Sequence, residues 1–161
     1  MNTSVATLWC QSEYLVWEKT RVVFIDSGAK INSLYNCNIV LEKGLLPDIR
    51  AICRHYRWTL QQDGAPAHTA RTTMNYPKNE HINFIEPHMW PNSLDINPVQ
   101  YAIWGALQQR IYHQVQFETV EELKRAIVTE WQKLSQRFCD NSINEWRRNL
   151  EVVIKNGGEH I

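Results

Sequence analysis

This sequence lacks a charge bias: 17 basic residues are matched by 17 acidic ones. No global field advertises a polyanion partner, so any nucleic-acid contact has to come from a local patch. It also lacks a long apolar run. Nothing approaches the roughly 20 residues that span a bilayer, so a membrane protein is not expected. The four cysteines, Cys10, Cys37, Cys53 and Cys139, contain no CxxC pair. Structural zinc wants closely spaced ligands, and unpaired thiols in a reducing compartment are the expectation. The opening MNTSVATLWCQSEY has no basic region followed by an apolar core, so no targeting segment is expected. Internal repeats, low-complexity tracts and linkers are missing too, and 161 residues read as one domain with a core of its own.

What is present has the rhythm of an α/β protein. Two β-rich runs, Ser4–Cys10 and Arg21–Asp26, suit a hairpin. Asn32 or Ser33 can cap a helix that buries Leu34, Tyr35, Ile39, Val40 and Leu41. Gly44 is placed to end that helix and Pro47 to open a short one. Arg50, Arg54, His55 and Arg57 form a small basic cluster before the next strand, suited to a phosphate or simply to a solvated helix end. After a strand near Trp58–Gln62, a helix is predicted from Ala67 to about Glu80 with Pro77 inside it, and Ile82–Ile85 is a further strand.

Three helices close the chain. The first is predicted from Pro98, capped by Asn97, through about His113, and the second opens on the capping box Thr119-Val120-Glu121-Glu122. Val120, Leu123, Ile127, Trp131, Leu134 and Phe138 step by three or four along the apolar face of that second helix. The last is predicted from about Asn141 to Gly157-Gly158. Order and composition give a mixed α/β domain with helices packed on a small sheet.

Chemistry concentrates in WTLQQDGAPAHTA, Trp58 to Ala70. Asp63 ends a strand beside a Gly/Pro break, where α/β proteins place reactive groups. An Asp before Gly is equally a turn former that binds the amides following it. His68, at the start of the next helix, can contact phosphate, orient a metal site, or hydrogen-bond locally.

QQDGAPAHTAR, followed by PNSLDINP and by Tyr101-Ala102-Ile103-Trp104, resembles the transposases of the mariner superfamily. The likeness runs from about Val5 to the C-terminus and includes VVFIDSGAKIN and WGALQQRIY. It implies a ribonuclease H-like fold, here lacking its first strand, with a mixed sheet flanked by helices and a C-terminal helical pair. The helix-turn-helix DNA-reading region would precede it, making residues 1–161 a partial catalytic domain. The family's triad, two Asp and a final Asp or Glu, holds two magnesium or manganese ions that cut DNA and join its 3′ ends to a target. Such ions need hard oxygen ligands, which carboxylates provide.

By position Asp63 matches the second carboxylate of that triad and a metal ligand, and His68 belongs to the same signature. At the third position, after Asn97-Pro98-Val99, stands Gln100. Gln offers a carbonyl oxygen but no charge. In the family the acidic residue matching Asp95 accompanies the catalytic one. Asp26 matches the third strand and reads as a turn residue. The resemblance implies transposon-end DNA as partner, a homodimer, and a nuclear location. The expectation is a transposase remnant with its cutting chemistry disabled; the alternative is a non-catalytic DNA- or protein-binding module that keeps the fold.

Overall fold

The structure, a computed structural model, describes residues 5–6, 19–89, 99–112 and 117–157. The chain divides into two compact units, Met1–Asn92 and Ser93–Ile161.

In the first unit β1 (Val5–Ala6) pairs antiparallel with β2 (Val23–Phe24), Val5 opposite Phe24 and Ala6 opposite Val23. The expected antiparallel join is therefore present, with these two residue pairs in its described ladder. Asp26 closes a turn: its carbonyl accepts Ala29 N–H, and Gly28 takes φ 76°, a left-handed value natural to glycine. The Asp26 carboxylate accepts from the Tyr35 hydroxyl at 2.9 Å.

Asn32 caps the next helix, its Oδ1 accepting Tyr35 N–H at 2.9 Å. That helix is α1 (Ser33–Tyr35), a π-helical segment Asn36–Leu45, and α2 (Leu46–Cys53) in unbroken succession. The predicted stop at Gly44 is not used. Gly44 instead lets the helix lie against β2: a Cβ there would stand 2.9 Å from Val23 Cγ2 and 3.1 Å from the Ile39 carbonyl. Pro47 falls in the first turn of α2, but because the helix runs on unbroken from the π-helical segment its missing N–H removes a donor from the turn before it. Leu41, Leu46 and Ile49 are fully buried and pack with Ile25, Leu60 and Ile82 in the core of this unit. Each contributes about 1.5–3 kcal/mol by leaving water.

β3 (Thr59–Leu60) and β4 (Asn83–Phe84) pair in parallel, Thr59 opposite Asn83. Between them the single predicted helix is two, α3 (Pro66–Thr69) and α4 (Arg71–Asn79). Ala70 is extended (φ −60°, ψ 144°) and breaks the run. Pro77 lies inside α4 as expected, and its carbonyl accepts Ile82 N–H on the way into β4.

The second unit is helical in its described residues. A π-helical segment Val99–Trp104 continues into α5 (Gly105–Tyr112), burying Ile103, Leu107 and Ile111. Both halves of the capping box form on α6 (Val120–Lys133): Thr119 Oγ1 accepts Glu122 N–H, and the Glu122 carboxylate accepts Thr119 N–H. Leu123, Ile127, Trp131 and Leu134 are buried as their spacing predicts. The helix ends earlier than expected, because Ser135 caps α7 (Gln136–Lys155) by accepting Phe138 N–H. Gly157, at φ 70°, follows its last turn.

Cys37 and Cys139 are free and buried, whereas Cys53 is disulfide-bonded, a correction to the expectation of four unpaired thiols. The scattered spacing of the cysteines gave no signal for it. Among the described residues no helix is long and apolar enough to cross a membrane.

Candidate active site

Asp63 leaves β3 just before the Gly64–Ala65–Pro66 break, and Pro66 at the first turn of α3 starts a helix without needing an N–H partner. That turn brings the two sequence-predicted residues of the first unit together. Asp63 Oδ1 accepts Ala65 N–H at 3.0 Å and lies 2.7 Å from His68 Nδ1. His68 N–H in turn reaches the Ala65 carbonyl at 2.8 Å, so the loop is fixed from both sides. The His68 hydrogen bond holds the Asp63 carboxyl below its ordinary value; partial burial opposes this, and the Ala65 amide and the His68 charge add to it. Asp63 thus forms the local turn bond and stays ionised.

Supporting residues that sequence reading missed lie behind this turn. Asn36, 1% exposed, accepts from Gln62 Nε2 at 3.4 Å, tying the long helix to the residue before Asp63. Its Nδ2 has no partner among the described residues. Buried Thr73 donates to the Ala67 carbonyl at 2.6 Å and meets Cys37 Sγ, pinning α4 under α3. The available signal was a polar residue on an apolar helical face, Asn36 before Cys37 and Val40. A shallow cleft beside the turn is lined by Gln62, His68, Thr73, Met74 and Phe84.

Gln100 belongs to the second unit, within the segment Val99–Trp104, where its backbone is helical. Asp95, Asn97 and Pro98 lie outside the described residues. Magnesium or manganese pairs need several oxygen donors converging on one point. Among the described residues, no group of three or more His, Cys, Asp or Glu side chains is placed to hold an ion. Among the described residues Asp63 supplies one carboxylate and His68 a nitrogen, a donor set that does not fit a two-metal centre.

No family profile matches the chain. It is 28% identical over 149 residues to the Tc3 transposable-element transposase of Caenorhabditis elegans, covering 89% of this chain and 42% of that protein. The catalytic domain of Mos1 mariner transposase superposes with a TM-score of 0.67 at 18% identity, over 99% of this chain and 83% of that one. A Mos1 transposase paired-end complex with the left transposon end gives 0.73 at 20% identity, over 90% and 43%. The fold is therefore ribonuclease H-like, a mixed arrangement of short strands and many helices. Within that class, the sequence is similar to the Tc3 transposase and the fold is similar to the catalytic domain of Mos1 mariner transposase. It spans less than half the length of the curated relative it matches.

Proposed function

We propose that this chain descends from a transposase catalytic domain and no longer cuts DNA. The observation that carries the reading is Gln100, neutral where the Asn-Pro motif of the family presents a carboxylate. A neutral amide lowers the charge that a pair of divalent ions needs around it. Mos1 catalytic domain has been solved with Mg and with Mn, which supports the same ions as the ancestral cofactors. Bound there, they would supply an activated water and stabilise the leaving oxygen. Asp63 matches one ligand position for such an ion, with His68 fixing its carboxylate, and a lone carboxylate falls short of the donor set that a pair of ions needs. The proposed partner is DNA, as in the Mos1 paired-end and strand-transfer complexes, with the chain acting as a non-catalytic binding module.

The test is direct. The purified chain is incubated with supercoiled plasmid in Mg2+ or Mn2+, and relaxed product is measured beside the Asp63→Asn variant. No metal-dependent nicking is expected from either. Nicking that requires the ion and disappears with Asp63→Asn would overturn the proposal.

A further inference from the structure

Because β3 and β4 run parallel with Thr59 opposite Asn83, both strands begin at the same end of their ladder. Asp63 follows β3 at its other end, up to about 20 Å from Arg57 along the chain. The segments leading into the two strands share a second property. Arg54 (φ 48°) precedes β3 and His81 (φ 54°) precedes β4, and they are the non-glycine residues with positive φ among those described. Side chains rarely adopt this backbone region, and its cost, of order 1 kcal/mol or more, persists where the surroundings impose it.

These segments also collect charge. Arg54, His55 and Arg57 lead into β3 and His81 into β4, and all four are exposed. None forms an ion pair with a described residue, and His55 only stacks on Tyr56, ring centroids 4.4 Å apart. The adjacent carboxylate, Glu80, is already engaged by Arg50 at 3.1 Å. In a chain whose formal charge sums to zero, two guanidinium groups with two imidazoles beside them form a local cationic edge.

We propose that this edge, Arg54, His55, Arg57 and His81, is a contact surface for the phosphate backbone of duplex DNA, at the opposite end of the strands from Asp63. Two exposed guanidinium groups on one segment, with the imidazole of His81 as a hydrogen-bonding group on the next, present phosphate-binding groups on neighbouring segments, which suits a repeating anion with one phosphate per roughly 3.4 Å of each strand. A membrane surface is disfavoured because the exposed large hydrophobics, Ile31, Leu34, Met89, Val152 and Ile154, lie on neither segment. Guanidinium groups bind phosphate oxygens in fixed fork geometry and read no base sequence, so the contact positions DNA without specifying a site. The choice of DNA rests on the proposed function; the location of the contact rests on the edge itself.

Binding of a fluorescent random-sequence duplex is measured by anisotropy as salt is raised. Each lost phosphate contact lowers the slope of log K against log salt by about 0.9, so Arg54→Asn with Arg57→Gln should lower it by about 1.8. Position 54 takes φ 48°, and Asn is among the non-glycine residues most often found at positive φ. The charge-keeping pair Arg54→Lys, Arg57→Lys should retain the slope, as should a control that removes equal charge elsewhere, Arg125→Gln with Arg137→Gln. On the unaltered chain, DNA should protect Arg54 and Arg57 from phenylglyoxal, a readout independent of how any variant folds. Salt-sensitive binding with an unchanged slope in the edge variant, or no protection of these arginines, overturns the edge and leaves DNA as partner. Absence of salt-sensitive binding overturns both.

Discussion

His68 Nδ1 and Ala65 N–H converge on one oxygen, Asp63 Oδ1, at 2.7 and 3.0 Å. An ionised carboxylate only accepts hydrogen bonds, so Nδ1 of His68 carries a proton in this pair. The turn that positions a carboxylate at the end of β3 is thus also what keeps that carboxylate charged.

Replacing His68 with Ala should raise the Asp63 pKa toward its ordinary value, because the hydrogen bond that lowers it most is lost. Carboxyl chemical shifts followed through a metal-free acid titration would show it; an unmoved midpoint would refute the pairing. The stability consequence has a definite sign. A carboxylate whose folded pKa is depressed stabilises the fold above its unfolded pKa of about 3.9, and that contribution disappears as pH falls through the folded value. With the Asp63 side chain 47% exposed, solvent screening keeps the effect below about 1 kcal/mol. Wild type and His68→Ala should therefore differ slightly in stability at pH 6 and converge as acid protonates Asp63.

Gly44→Ala sets two effects against each other. In a helix the change ordinarily stabilises by about 1 kcal/mol. Here the added Cβ would meet Val23 Cγ2 at 2.9 Å and the Ile39 carbonyl at 3.1 Å, and a backbone oxygen cannot swing aside. Overpacking costs about 1–3 kcal/mol, so the net outcome should be destabilisation by about 1 kcal/mol. Urea unfolding with an unchanged slope and a lower midpoint is the expected result.

Gly44 also marks where sequence reading stopped. Its position after an apolar periodic run is the usual sign of a helix end, but the glycine is there for close approach to Val23, a tertiary fact without a local signature. Ala70 is the reverse case: nothing in its side chain breaks a helix, yet its extended backbone separates α3 from α4. Where the signal was local, reading succeeded. Asn32 and Thr119 are caps because their side-chain oxygens reach amides three residues on. Leu123, Ile127 and Trp131 are buried because one helical face is apolar. The Asp63–His68 pair was legible as residues of one motif, while Asn36 and Thr73 behind it were hidden by distance in sequence.

Thr119→Ala should cost about 1 kcal/mol, since it removes the acceptor for Glu122 N–H at 3.2 Å. Glu122→Ala should cost a similar amount by freeing Thr119 N–H and Glu118 N–H, both of which its Oε2 accepts. The box is reciprocal, so the double variant should lose less than the two singles added. Strict additivity would mean that the two bonds form independently.

Arg21 and Pro47 form a pair of a different kind. Pro47 has no N–H, so the turn before it, where the π-helical segment ends and Leu46 N–H reaches the Leu41 carbonyl, has one backbone donor fewer. Arg21 supplies one: Nη2 reaches the Lys43 carbonyl at 3.1 Å and the Gly44 carbonyl at 3.0 Å, and Nε reaches Gly44 at 3.3 Å. The accompanying ion pair with Asp48 is 3.5 Å long with Arg21 56% exposed, and pairs of that kind contribute little. Arg21→Ala should therefore destabilise by about 1–2 kcal/mol through the orphaned carbonyls more than through the lost charge. Arg21→Lys keeps the charge but not the fork, and should recover only part of the loss. Adding Pro47→Ala to Arg21→Ala restores a backbone donor near Lys43 and should lessen the damage. A double-mutant cycle in urea that shows no coupling between positions 21 and 47 would mean that the helix satisfies those carbonyls without Arg21.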